Sequence, residues 1–136
     1  MSATNRIRWG RVLLGGFLVE LVLILLSIPM FLLVGIEGVL VVIAPLCFIV
    51  AFAVSWWILR KVPASGALHG LLIGLVTTVI YLGLNVAQFG SIMPVVEMYG
   101  PFMFVLANGL RVAGAIAGGA FAERSLRNTQ RVPMSD

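Results

Sequence analysis

Charge is scarce in this chain. Nine Lys and Arg, five Asp and Glu and one His stand among 136 residues, 10% charged against 61% hydrophobic. A soluble domain carries roughly 25% charged residues, and a chain this short buries the smallest share of its surface on folding. A water-soluble globule is therefore excluded as an expectation, and a lipid bilayer is the solvent that accepts such a composition. The single cysteine, Cys47, excludes an internal disulfide and reads as a small buried hydrophobe inside an apolar run. With one His and one Cys no metal set is recognisable, and no cofactor motif is present. No nucleophile elbow, no phosphate-binding glycine loop before a soluble helix and no paired membrane carboxylates occur, so an enzyme is not expected. The net charge of +4 sits at the ends of apolar runs rather than in a stripe with aromatics, which points away from nucleic acid and towards lipid headgroups.

What is abundant is long apolar sequence. About 20 such residues cross a bilayer, and four runs of that length fill the chain: residues 12–34, 38–59, 67–89 and 101–122. The first is too long for a signal-peptide core and no small-x-small cleavage site follows it, so a retained helix is expected. The reading is a single all-α integral membrane domain over residues 1–136, an up-down bundle of four transmembrane helices with a frayed polar cytoplasmic tail at 123–136. Pro29 and Pro45 fall inside the first two helices, where each removes a backbone hydrogen bond and kinks the chain. The segment Gly90–Gly100 is expected on the outer surface with one short helical turn.

Orientation follows from the cations. Arg6, Arg8, Arg11, Arg60, Lys61, Arg124, Arg127 and Arg131 share one side, whereas the loops of the other side carry Glu37 and Glu97. By the positive-inside rule both termini are cytoplasmic, in the inner (cytoplasmic) membrane.

Two charges remain at membrane depth. Glu20 lies roughly 13 Å beyond Arg11, and Arg111 roughly 20 Å before Arg124, at 1.5 Å per residue. Each costs about 2.5–3.5 kcal/mol near the bilayer centre, so a Glu20–Arg111 ion pair is expected between helices 1 and 4. A seven-residue stripe in steps of three and four follows helix 3: Gly66, Gly70, Gly74, Thr77, Tyr81, Asn85 and Gln88. Helix 4 carries Asn108, Arg111, Gly114 and Gly118. Gly66, Gly70, Gly74, Gly114 and Gly118 are the candidate packing residues. The polar members, with Ser27 of helix 1, are the candidate lining of a cavity: Ser27, Tyr81, Asn85, Gln88 and Asn108, all expected to face inward. Helix 2 shows almost nothing polar before Ser55 and is expected to face lipid or a partner. His69, the lone histidine, is expected at an interfacial helix end.

A glutamate in the first helix is similar to the small multidrug exporters in that one respect, but the surrounding aromatic run is missing and the charge bias is one-sided. The phenylalanine- and threonine-rich third-helix motif of the fluoride channels is missing too. Three functions stay open, in this order. The first is an accessory or structural membrane protein acting through helix packing, as a homo-oligomer or in a larger membrane complex. The second is a small transporter or channel built on Glu20 and Arg111, and the third a lipid-modifying enzyme. The lipid bilayer is the one partner the composition requires.

Overall fold

The structure, a computed structural model, describes residues 7–130. They form four helices and, among the described residues, no strand: α1 Trp9–Leu59, α2 Gly66–Phe89, α3 Met93–Tyr99 and α4 Pro101–Gln130. Three of these, α1, α2 and α4, are long and apolar enough to cross a membrane.

The longest helix is folded back on itself. The side chain of Arg11 donates to the carbonyl of Ile58 at 3.1 Å, whereas 47 residues of straight helix would hold the two roughly 70 Å apart. The fold lies at Gly35, with φ 69° and ψ −177°, a region open essentially to glycine alone. It divides α1 into a first arm (residues 9–34) and a second arm (36–59). The backbone stays helical through Pro29 and Pro45, which leaves Gly35 as the break.

Close backbone approach holds the arms, α2 and α4 together. A Cβ on Gly66 or Gly70 would strike the carbonyl of Gly119 or Ala115, and one on Gly74 would come to 2.8 Å from the Val112 Cα. On the other side of α4, a Cβ on Gly114 or Gly118 would strike the carbonyl of Phe48 or Phe52. Glycine thus lets α4 seat between α2 and the second arm at backbone distance. Thr77 adds a hydrogen bond from α2 to the Gly16 carbonyl of the first arm, at 3.2 Å.

The second arm corrects one expectation. It does not stand aside facing lipid: Cys47, Ala51, Ser55 and Leu59 are fully buried, because Gly114 and Gly118 draw α4 onto this arm. The lipid-ready surface is spread round the bundle instead, with Leu33 84% and Val41 76% exposed.

One end of the bundle collects the cations. Arg8 donates its backbone N–H to His69 Nε2 at 3.1 Å, and Arg11 reaches Ile58. The Arg60 guanidinium lies 5.8 Å from the centre of the Trp57 ring. His69, in the first turn of α2, is buried within the bundle; with Nε2 accepting, its Nδ1–H donates to the Ser65 carbonyl at 2.8 Å. The polar stretch after Ala122 is also corrected, since α4 continues to Gln130. An i,i+4 ion pair of Glu123 with Arg127 and a Thr129 hydroxyl bonded to the Ser125 carbonyl extend the helix. Arg6 and Arg131 lie outside the described residues.

Candidate functional site

Every helix contributes to one cavity of about 120 Å³ in the half of the bundle away from the cations. The first arm supplies Glu20 and Ser27, the second arm Cys47, α2 Tyr81, α3 Tyr99, and α4 Asn108 and Arg111. Glu20 and Arg111 are 5% and 4% exposed. Their closest approach, Arg111 Nη1 to Glu20 Oε2, is 3.5 Å, an ion pair without a short hydrogen bond. It joins the arm and the helix that the sequence reading paired, because both side chains project from the same depth of adjacent helices.

The guanidinium is held by weak partners. Nη1 stands 3.5 Å from Asn108 Oδ1 and Nη2 3.7 Å from Cys47 Sγ. The Tyr81 ring lies against the cation, 4.4 Å from its centroid to the central carbon, a desolvated cation–π contact worth about 2 kcal/mol. Phe104, with its ring centroid 6.3 Å from that of Tyr81, backs the phenol. Arg111 Nε and Glu20 Oε2 are buried with no hydrogen-bond partner. A guanidinium has five N–H donors, and buried polar groups of native proteins are nearly always satisfied. This centre is therefore assembled but under-bonded.

The amides are not used alike. Asn108 Nδ2 donates to the Phe104 carbonyl one turn back, at 2.8 Å, which aims Oδ1 at Arg111. Ser27 spends its hydroxyl on the Ile24 carbonyl at 2.8 Å. Asn85 and Gln88 do not join the central cavity. They line an adjoining groove between the first arm and α2 that shares Glu20, Ile24 and Tyr81 with it. Gln88 is exposed, not turned inward. The reason is geometric: Phe104 faces Tyr81, and α4 begins only three residues earlier at Pro101, so Gln88, seven residues beyond Tyr81, has no α4 left to face. The five expected packing glycines lie at the helix contacts described above, away from the cavity walls.

Two residues escaped the sequence reading. Cys47 has only apolar neighbours in sequence, and nothing marked it as lying beside a cation. Tyr99 ends a seven-residue surface helix, and Gly100, at φ 77°, turns the chain there into α4. Burial pushes the Tyr99 phenol above its ordinary pKa. A second cleft, apolar and formed by Phe31, Leu32, Val39 and Met98 among others, shares Ser27 and Tyr99 with the cavity. Among the described residues no three of His, Cys, Asp and Glu come together as metal ligands.

Compared with protein-family models, with curated proteins and with solved structures, the chain matches none of them.

Proposed function

We propose that this protein is a small multi-pass membrane transporter or channel that takes a small polar solute into the cavity between Glu20 and Arg111. Its four apolar segments, the two arms of α1 with α2 and α4, each cross the inner (cytoplasmic) membrane. Both termini lie on the cytoplasmic side, where the cations gather. The observation that carries this reading is that both deep charges wall one cavity of about 120 Å³ while retaining unpartnered hydrogen-bonding atoms. A pair serving only to lock helices would gain most from being dry and fully bonded, since burying two charges already costs several kcal/mol per ion. Intramembrane ionisable groups facing a cavity mark solute or proton paths.

A role limited to self-association has less support. The five glycines best suited to a helix–helix interface are spent on the chain's own helices, so they offer no seam to a second copy.

Flux into proteoliposomes tests the proposal. With small organic acids, amines, polyols and inorganic ions offered in turn, the wild type carries at least one solute faster than empty vesicles, and Arg111→Gln abolishes that flux. No flux for any solute, from protein that still melts cooperatively, would refute it.

A further inference from the structure

Resting on that reading, we infer that the solute is a small monovalent anion, a monocarboxylate in the simplest case, and that it enters with one proton, which Glu20 takes up. Charges in so buried a place must balance. Glu20 and Arg111, both more than nine-tenths buried, form a pair whose charges cancel. The other titratable groups around the cavity are Cys47 of the second arm, Tyr81 of α2 and Tyr99 of α3, a thiol and two phenols that are uncharged at neutral pH. The site is therefore neutral, and any ionic solute must have its charge offset on the spot.

The two sides of the pair differ in what they can do. Arginine does not lose its proton in proteins, so a cation entering beside Glu20 would leave a net positive charge that only a buried thiol or phenol, each a weak acid, could offset. A carboxylate accepts a proton readily. An anion that takes over Arg111 while Glu20 becomes a neutral acid leaves the site as neutral as before. The proton comes from solvent, the Glu20 O–H bond forms, and no covalent bond to the solute is made or broken.

The geometry suits the exchange. The 3.5 Å separation of the pair is loose, so leaving it costs little direct hydrogen bonding. Arg111 Nε lacks a partner, and Nη2 has only a thiol at 3.7 Å. Those two nitrogens form the edge of a guanidinium that grips a carboxylate in two parallel hydrogen bonds; Nε is closed to solvent while the pair is made and meets the solute as the pair parts. The space beside Arg111 suits a small solute: an engineered cavity of about 150 Å³ holds one benzene, so the central cavity of about 120 Å³ seats an anion of a few heavy atoms.

Calorimetry of the purified full chain in nanodiscs tests this, with acetate, methylammonium and acetamide as probes in buffers of different ionisation heat. Acetate is expected to bind with uptake of one proton, and its affinity to fall about tenfold per pH unit where Glu20 is ionised, as one-proton linkage requires. Glu20→Gln is expected to bind acetate without proton uptake and without that pH dependence. Acetate binding to the wild type with no proton taken up overturns the inference, and so does preference for methylammonium or acetamide; both leave the cavity as a binding site. Failure of every probe to bind folded wild-type protein overturns the inference, and absence of flux for every solute would take the transport reading with it. If Glu20→Gln does not fold, infrared difference spectra of the wild type decide: acetate binding should raise a carboxylic-acid C=O band that does not shift with carbon-13 acetate, and a band that does shift overturns the inference.

Discussion

Glu123 Oε2 accepts a hydrogen bond from the backbone N–H of Gly66 at 2.8 Å, so a side chain near the end of α4 caps the start of α2. The residue before α2 does not do this: Ser65 sits in the left-handed region at φ 60° and makes no side-chain cap. A carboxylate at a helix N-terminus satisfies a free donor and meets the positive end of the helix dipole. The same contact brings the polar ends of the two helices together on the cationic side.

Removing the cap is expected to be measurable but mild. Glu123→Ala should lose about 1 kcal/mol, the usual worth of an N-cap, and Glu123→Gln less. Thermal melts in detergent check this. A loss no larger than that of Arg127→Ala would assign the effect to the exposed i,i+4 pair instead.

Glycines of two kinds are present, and they predict opposite outcomes. At Gly70 and Gly114 an added methyl strikes a backbone carbonyl on another helix, which cannot rotate away as a side chain would. Gly70→Ala and Gly114→Ala should each cost about 1–3 kcal/mol by overpacking. At Gly83 and Gly109 a Cβ meets nothing within 4 Å, and alanine there should be harmless or gain up to about 1 kcal/mol of helix propensity. Denaturation of the four variants side by side gives the comparison.

The helical elements were legible in the sequence because apolar length and breakers write them directly. Gly35, Pro63 to Gly66, Gly90 and Pro101 punctuate the apolar runs, and the turns of the structure fall among them. The meeting of Glu20 with Arg111 could be anticipated because each is too costly alone at its depth. The site's other walls could not. Cys47 is chemically silent in sequence, and the place of Tyr99 depends on Gly100 folding a surface helix over the cavity. Whether Asn85 and Gln88 face the centre turns on where α4 starts relative to α2, a register that helical periodicity does not encode. The packing of the second arm is hidden for a similar reason: a helix without polar residues looks lipid- or partner-facing, yet glycines on a different helix, Gly114 and Gly118, decide that it is packed.

The fold in α1 depends on one residue's backbone freedom. Gly35 has open space around its Cα, so Gly35→Ala introduces no clash and acts through φ 69° alone. The expected loss is about 1–3 kcal/mol. Because the turn sets the register of the arms, its straightening would also separate Arg11 from Ile58. Cysteines placed at positions 11 and 58, joined by a bifunctional reagent as long as an arginine side chain, should cross-link efficiently in the wild-type background and less with Gly35→Ala; equal yields would show that the turn does not depend on glycine.

The two members of the buried pair should fail differently when removed. Breaking a buried pair costs about 3–5 kcal/mol, because the charge left behind is uncompensated. Glu20→Ala leaves a guanidinium that keeps its charge at any accessible pH. Arg111→Ala leaves a carboxyl that sheds its charge by taking a proton. Glu20→Ala is therefore the more destabilising of the two, and the Arg111→Ala deficit shrinks as pH falls while the Glu20→Ala deficit does not. The double variant should lose less than the two singles together, by about 0.5–3 kcal/mol for directly coupled groups. Melting curves of the three variants between neutral and mildly acidic pH test every part of this. Strictly additive losses would mean that the 3.5 Å contact carries no coupling. Equal pH responses of the two singles would mean that Glu20 does not take up a proton when its counter-charge is gone, the step on which proton-linked anion binding depends.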